Sequence, residues 1–221
     1  MGKVFFCSPI LLITVLVTCA LAQDKAVDCS SPTNSAVASL VKEGLQLEER
    51  QDFAGAIEAS KKVLAVEPRN ECALNTISGL YGVLRNFKEE ISWAKRAIEI
   101  NPNFAKAYIN LGNAEGSLGN IREAEAAFKK AQSIDPKDPL PIYSLGVLAE
   151  QQRKFPEAIA LYQKSIELDP KFEDGYFNLA ATYANLKRFA EAKATLKKLL
   201  VLNPNAQDAK EMLRQLELEK P

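Results

Sequence analysis

The stretch that decides the fold runs from Ala105 to Asp138 and reads AKAYINLGNAEGSLGNIREAEAAFKKAQSIDPKD. It holds two segments with helical spacing of apolar and small residues, separated by a Gly-Asn turn and closed by an Asp-Pro pair. A pair of short helices cannot bury its apolar face alone, so the stretch predicts similar neighbours on either side. The places of this pattern are Tyr108, Leu111, Gly112, Ala124, Phe128, Ala131 and Ile134, and Glu115 is its polar exception.

The same pattern recurs every 34 residues along the chain. Small residues recur where two antiparallel helices must approach closely, and large apolar residues recur where gaps between neighbouring pairs must be filled. Proline recurs at the end of each second helix, because it has no amide hydrogen to continue the helix. These periodicities predict an all-α fold. The repeated prolines are Pro68, Pro102, Pro136, Pro170 and Pro204, and the repeated small residues are Gly44, Ser78, Gly112, Gly146 and Ala180.

This pattern resembles the tetratricopeptide repeat family over about residues 37–206. The resemblance implies a right-handed α-solenoid of five helix-turn-helix repeats, whose concave face is formed by the first helix of each repeat and binds a peptide or a partner helix. Residues 207–221 continue the helical pattern and are expected to form the capping helix that shields the last repeat. The expected repeats are 37–70, 71–104, 105–138, 139–172 and 173–206.

The amino-acid composition argues against several classes of function. The chain has 28 basic and 28 acidic residues, and this balance argues against nucleic acid as the main partner. It has no histidine, which removes the commonest general base and the commonest metal ligand. No glycine-rich phosphate loop follows a strand pattern. We therefore expect a non-enzymatic protein that uses no cofactor and no metal.

The first 22 residues, MGKVFFCSPILLITVLVTCALA, have the features of an export signal. A single charge at Lys3 precedes an apolar run, and Ala20-Leu21-Ala22 has the form of a signal-peptidase site. We expect cleavage after Ala22, a periplasmic or secreted protein, and a flexible lead-in over residues 23–36. The alternative is a membrane-anchored protein, in which the apolar run is not cleaved or a lipid is attached at Cys19.

Two cysteines remain after this cleavage, Cys29 in the lead-in and Cys72 at the start of the first helix of repeat two. First helices of successive repeats run parallel and about 10 Å apart, so both cysteines are expected at the same end of the stack. The hypothesis is a disulfide that joins the lead-in to repeat two and stabilises the fold by about 4 kcal/mol. Two unpaired thiols are the alternative, and intact mass after alkylation without reductant distinguishes the two.

The resemblance places candidate binding residues on the inner face of the first helices. Asparagine amides both donate and accept hydrogen bonds, so they can hold an extended peptide backbone. Aromatic residues at equivalent places of two repeats can cradle an apolar side chain. Hydrogen bonding between repeats is the alternative role for the asparagines. The predicted groove residues are Lys106, Asn110, Asn113, Tyr143, Ser144, Gln151, Phe177, Asn178 and Asn185.

Glu90 breaks the pattern, because it occupies a place where Ala56, Ala124, Ala158 and Ala192 are small. A lone buried carboxylate is costly, so Glu90 is expected to reach solvent, to pair with a base such as Arg85 or Lys88, or to be turned by a local rotation of its helix.

The predicted function is a protein-protein interaction scaffold that binds a peptide or protein segment in the concave groove. The alternative function is a membrane-tethered assembly factor of an envelope complex. Membrane contact is expected only if residues 1–22 are retained, and the oligomeric state is left open.

Overall fold

The computed structural model describes residues 34–218, and over this range the chain is helical and contains no strand. The predicted all-α fold is confirmed, with eleven helices in the described range that match five helix pairs and a capping helix. The helices are α1 Ser35–Glu49, α2 Phe53–Val66, α3 Glu71–Val83, α4 Phe87–Ile100, α5 Ala105–Ser117, α6 Ile121–Ile134, α7 Pro139–Gln151, α8 Phe155–Leu168, α9 Glu173–Asn185, α10 Phe189–Leu202 and α11 Gln207–Leu218.

Helix boundaries follow the local sequence signals. Each second helix ends two residues before a repeated proline, as α2 does at Val66 before Pro68. The chain enters α1 through Asn34, whose side chain accepts a hydrogen bond of 2.8 Å from the amide of Ala36. The first helix therefore begins at Ser35, two residues before the predicted start of the first repeat.

A left-handed residue closes each first helix. In the turn after α3, Arg85 has a φ of +57°, and the amide of the next residue, Asn86, donates to the carbonyl of Tyr81 at 2.8 Å. This bond reaches back over five residues, as in a Schellman motif, and satisfies a carbonyl at the helix end. Among the described turns of this kind, only the one after α5 uses glycine at this place, Gly119 with a φ of +81°.

The chain forms two compact units that divide between Asp135 and Pro136. In residues 34–135, helices that are successive in sequence pack against each other, and the first helices α3 and α5 also meet directly. In residues 136–218, α7 packs on α8, α8 on α9, α9 on α10 and α10 on α11. The capping helix α11 buries Ala209 and Leu216, as its sequence pattern predicts.

Small residues do bring paired helices together. A Cβ atom built on Gly112 would lie 2.5 Å from a ring carbon of Phe128, and one on Gly146 would lie 2.7 Å from a ring carbon of Tyr162. Each ring of the second helix thus lies against the backbone of the first helix. In the pair α3 and α4 the equivalent ring is missing at Ala94, and Trp93 beside it packs on two of the hydrophobic core clusters of that unit.

No helix within residues 34–218 combines the length and the apolar character that a bilayer crossing requires. The predicted signal or anchor segment, residues 1–22, lies outside the described residues, as does most of the lead-in.

Candidate functional site

In residues 34–135, the candidate residues lie on one face of α5. Lys106, Asn110 and Asn113 are spaced by four and three residues, which places them on one side of a helix. Asn110 is buried, and its amide nitrogen donates to the side-chain oxygen of Asn75 at 3.0 Å and to its main-chain oxygen at 3.3 Å. Lys106 and Asn113 are half-buried. The Asn110 amide donors therefore link repeat three to repeat two.

In residues 136–218, Asn178 makes the equivalent link between repeats five and four. Its amide nitrogen donates to the hydroxyl of Tyr143 at 2.7 Å. The Tyr143 ring packs edge-on against Phe172, with centroids 5.2 Å apart, and tilted against Tyr162 at 5.7 Å. Each of these hydrogen bonds joins two residues that are 35 positions apart in sequence. In each unit, therefore, an asparagine amide links one first helix to the first helix of the preceding repeat.

The structure therefore separates the predicted groove residues into two groups. Asn110, Asn178 and Tyr143 already contact a neighbouring repeat, which matches the alternative role considered for the asparagines. Ser144 is also buried, and its hydroxyl has no hydrogen-bond partner among the described residues. The solvent-accessible residues of the set are Gln151 and Asn185, which are exposed, and Asn113 and Phe177, which are half-buried. Lys106 is half-buried as a whole, but its side-chain nitrogen is buried. Peptide binding by any of these residues stays a prediction.

A polar cluster that sequence reasoning missed lies between α7, α8 and α9. The carboxyl of Glu150 accepts a hydrogen bond of 2.9 Å from the Tyr162 hydroxyl, and the polar side chains of Thr182 and Asn185 lie near enough to lower its pKa through hydrogen bonding; the Thr182 hydroxyl itself donates to the carbonyl of Asn178 at 2.8 Å. Burial raises the pKa of Glu150, and these hydrogen bonds act in the opposite direction. One signal was available, because Glu150 is the only charged residue of α7.

Glu90 behaves differently from the sequence expectation. Its side chain is only 4% exposed, and within residues 34–218 it forms no ion pair with Arg85 or Lys88. The third alternative, a local rotation of helix α4, stays a prediction. The pairing of Glu90 with Arg85 or Lys88 is therefore wrong, and the side chain is nearly buried. The physical reason is Gly82 on the facing helix α3, where a Cβ atom would lie 2.8 Å from both carboxyl oxygens of Glu90. The missing side chain at position 82 gives the carboxyl its room, and burial raises the pKa of Glu90 to about 8.

Only one of the two cysteines in the predicted disulfide lies among the described residues. Cys72 is disulfide-bonded, whereas Cys29 lies outside the described residues. The pairing of Cys29 with Cys72 stays a prediction. In residues 34–218, no group of three or more histidine, cysteine, aspartate or glutamate side chains is arranged to hold a metal ion.

Comparison with known families defines the class of repeat. Two models described as tetratricopeptide repeat match residues 105–138 and residues 149–217. Residues 105–138 and 149–217 therefore carry tetratricopeptide repeats. The helix pairs have the fold of tetratricopeptide-repeat proteins, which are generally scaffolds for protein interactions. No curated protein sequence matches the chain.

Several solved structures share this fold at low sequence identity. TTC0263 of Thermus thermophilus is similar with a TM-score of 0.74 and 18% identity, over 83% of this chain and 100% of that one. PilW, described as a widely conserved type IV pilus biogenesis factor, has a TM-score of 0.66 and 23% identity, over 84% and 94%. YrrB, described as having an unusual peptide-binding site, has a TM-score of 0.54 and 18% identity, over 79% and 90%.

Proposed function

We propose that this protein is an exported, non-enzymatic scaffold that binds an extended segment of a partner protein along the first helices of its repeats. The observation that carries the proposal is the pair Gln151 and Asn185 in residues 136–218. These two residues stand at equivalent places one repeat apart, and both side chains are exposed. The half-buried ring of Phe177 lies on the same helix as Asn185.

The chemistry of this pair suits a peptide backbone. Gln151 offers donors and an acceptor, and Asn185, which hydrogen-bonds to Glu150, still has a second amide hydrogen and its carbonyl oxygen. Two such amides can hold two peptide groups without reading the side chains of the ligand. The ring of Phe177 supplies an apolar surface for one side chain of the segment. The description of YrrB as a tetratricopeptide-repeat protein with a peptide-binding site supports the same use of this fold.

Selection of peptides tests the proposal. A random peptide library is panned on the purified protein, and the affinities of the enriched peptides are measured by fluorescence anisotropy. We expect the double variant Gln151→Ala with Asn185→Ala to weaken binding about tenfold or more, because each lost hydrogen bond contributes on the order of 1 kcal/mol. The matched control is Lys164→Ala with Lys198→Ala, two exposed residues of second helices, which should bind like the original protein. Equal losses in both variants, or no enriched peptide at all, would refute the proposal.

Export rests on the sequence of residues 1–22, and its test is separate. Amino-terminal sequencing of the protein isolated from its source should find Gln23 at the terminus. A retained apolar run would favour the second candidate, a membrane-tethered assembly factor of an envelope complex. The description of PilW as a pilus biogenesis factor is compatible with that second candidate.

A further inference from the structure

In residues 136–218, the turns that follow the two first helices are basic. The turn after α7 contains Arg153 and Lys154, and the turn after α9 contains Lys187 and Arg188. The two pairs occupy equivalent places, because they lie 34 positions apart, and all four side chains are exposed. The contacts within the fold account for one of these four side chains and not for the other three.

Arg188 has a role inside the fold. Its Nε atom donates to the carboxyl of Glu191 at 2.8 Å, and its guanidinium lies over the ring of Tyr183, 4.5 Å from the ring centroid. Tyr183 belongs to α9 and Glu191 to α10, so Arg188 connects the end of one helix to the start of the next. Its positive charge is already paired.

The other three basic residues stand where local structure prefers a different residue. Arg153 and Lys187 have φ angles of +61° and +60°, a left-handed conformation that favours glycine. Lys154 is the N-cap residue of α8, where a side-chain oxygen is preferred and the helix dipole disfavours a positive charge. The equivalent N-cap residue of α2, Asp52, accepts a hydrogen bond of 2.9 Å from the amide of Gly55. We call Arg153, Lys154 and Lys187 the basic trio.

The charges of the basic trio are not neutralised by neighbouring residues. In the part of the chain that the structure describes, no member of the trio forms an ion pair. Three acidic residues lie close to the trio in sequence. Glu150 accepts a hydrogen bond from Tyr162, Glu191 is paired with Arg188, and Glu157 is exposed in the first turn of α8. The trio therefore keeps its positive charge available for a partner.

The basic trio adjoins the residues that we propose for peptide binding. Gln151 is the last residue of α7, and Asn185 is the last residue of α9. Arg153 and Lys187 each follow two residues later. Two residues of chain span at most about 7 Å, so a segment held by the two amides passes within reach of these long side chains.

We propose that the segment bound along α7 and α9 is acidic, and that its carboxylates pair with the basic trio. This inference rests on the proposed peptide-binding function and adds the charge of the ligand. Charge complementarity selects this occupant, because ammonium and guanidinium groups are strong donors to carboxylates. The guanidinium of Arg153 can hold one carboxylate through two parallel hydrogen bonds.

The repeat sets the spacing of the acidic residues. Neighbouring first helices lie about 10 Å apart, and an extended segment advances about 3.3 Å per residue. Arg153 and Lys187 occupy equivalent places one repeat apart. Two acidic residues about three positions apart in the segment therefore match them.

The experiment uses the peptides enriched from the random library. They should carry two acidic residues at this spacing, and changing both to the corresponding amides should weaken binding about fivefold at low ionic strength. Salt screens exposed ion pairs, so this preference should fade as the salt concentration is raised. In the double variant Arg153→Gln with Lys187→Gln, the acidic and amide forms of a peptide should bind alike.

Glutamine suits these places, because Gln51 occupies the equivalent left-handed position of repeat one with a φ of +60°. The matched control is Lys164→Gln with Lys198→Gln, which removes the same charge from exposed places on second helices and should keep the acidic preference. The reversed variant Arg153→Glu with Lys187→Glu should prefer peptides in which lysine replaces both acidic residues. Circular dichroism checks that each variant keeps its helices.

The outcomes separate this inference from the function on which it rests. Enriched peptides without a shared acidic pair, or an acidic preference that survives in Arg153→Gln with Lys187→Gln, would overturn the role of the basic trio and leave the scaffold proposal standing. Binding to phosphatidylglycerol vesicles that depends on the trio, without an acidic preference among the peptides, would assign the trio to a membrane surface and overturn the inference as well. A library from which no peptide is enriched would overturn the proposed function itself.

Discussion

Residues 34–135 and 136–218 solve the same packing problem with different chemistry. Each unit places a glutamate carboxyl within a helix pair, yet the carboxyl of Glu150 accepts a hydrogen bond from Tyr162, whereas no hydrogen bond reaches the carboxyl of Glu90 in the described part of the chain. The difference follows from Tyr162 in one unit and Ala94 in the other, at equivalent places. Equivalent places of two repeats can therefore give a carboxyl different surroundings.

The largest expected effect on stability comes from removing the side chain of Tyr162, whose hydroxyl donates a hydrogen bond to Glu150. Tyr162 is fully buried, lies against Gly146 and donates to Glu150. Tyr162→Ala should lower the free energy of unfolding by about 3–5 kcal/mol, since it leaves a large cavity. Urea denaturation followed by circular dichroism measures this loss. Tyr162→Phe keeps the ring and removes only the donor, so it should cost about 1–2 kcal/mol. Equal losses in the two variants would mean that the hydroxyl, and not the ring, carries the stability.

The second effect depends on pH and belongs to Glu90. Its folded pKa of about 8 lies above the ordinary value of 4.5, so the folded state holds an extra proton between these two pH values. Stability should therefore be highest at the acidic side of this window and fall as the pH rises through it, by about 2–4 kcal/mol in total. Glu90→Gln should remove this part of the slope.

The measurement is the urea midpoint of both proteins at a series of pH values. Glu48 and Glu150 also have raised pKa values and add slopes of the same sign, which remain in the variant. Only the difference between the two curves therefore reports on Glu90. Parallel curves would show that the Glu90 carboxyl has an ordinary pKa in the folded state.

The sequence predicted the helix pairs well because their signals are local and repeated. The prolines and the small residues such as Gly112 recur with the period of the fold. The prolines mark the ends of second helices, and small residues such as Gly112 mark a close contact within one helix pair. The fate of Glu90 was not predictable in this way. Its room depends on Gly82, which is eight residues away and on another helix, and a single pattern of small residues does not show which side chain fills the gap.

The candidate site was predicted less well than the fold. Helical spacing correctly placed Asn110 and Asn178 at equivalent positions on first helices. It did not show whether their amides face a ligand or the neighbouring repeat, because this depends on the side chain 35 residues earlier, Asn75 or Tyr143. Three-dimensional packing decides that choice.

A third prediction compares two glycines at helix contacts. Gly112→Ala places a methyl group 2.5 Å from the ring of Phe128, which is held on its own helix, so overpacking should cost about 1–3 kcal/mol. Gly82→Ala places it 2.8 Å from the carboxyl of Glu90, the flexible end of a side chain that can turn away. The helical preference of alanine over glycine then offsets the strain, and the change should be within about 1 kcal/mol of neutral. Thermal melting of both variants tests this order, and a larger loss in Gly82→Ala would show that Glu90 is held rigidly.

The smallest expected effect distinguishes the two asparagine links. The sequence alone predicts that Asn110→Ala with Asn178→Ala weakens partner binding and leaves the melting temperature nearly unchanged. The structure predicts a loss of stability instead, of about 1 kcal/mol for each residue, because each amide is buried and hydrogen-bonded to the preceding repeat. Asn113→Ala, at a half-buried place on the same face of α5, is the matched control and should change stability little.

Hydrogen exchange measured by mass spectrometry locates these losses. Asn110→Ala should speed exchange in residues 34–135, and Asn178→Ala should speed it in residues 136–218, because each link lies within one compact unit. If the double variant showed unchanged hydrogen exchange and weakened peptide binding, both asparagines would be ligand contacts and the predicted loss of stability would be wrong. Because the Asn178 donor meets a tyrosine hydroxyl whose ring is itself packed on Phe172, its loss should also loosen that ring, and the effect in residues 136–218 should be the larger of the two.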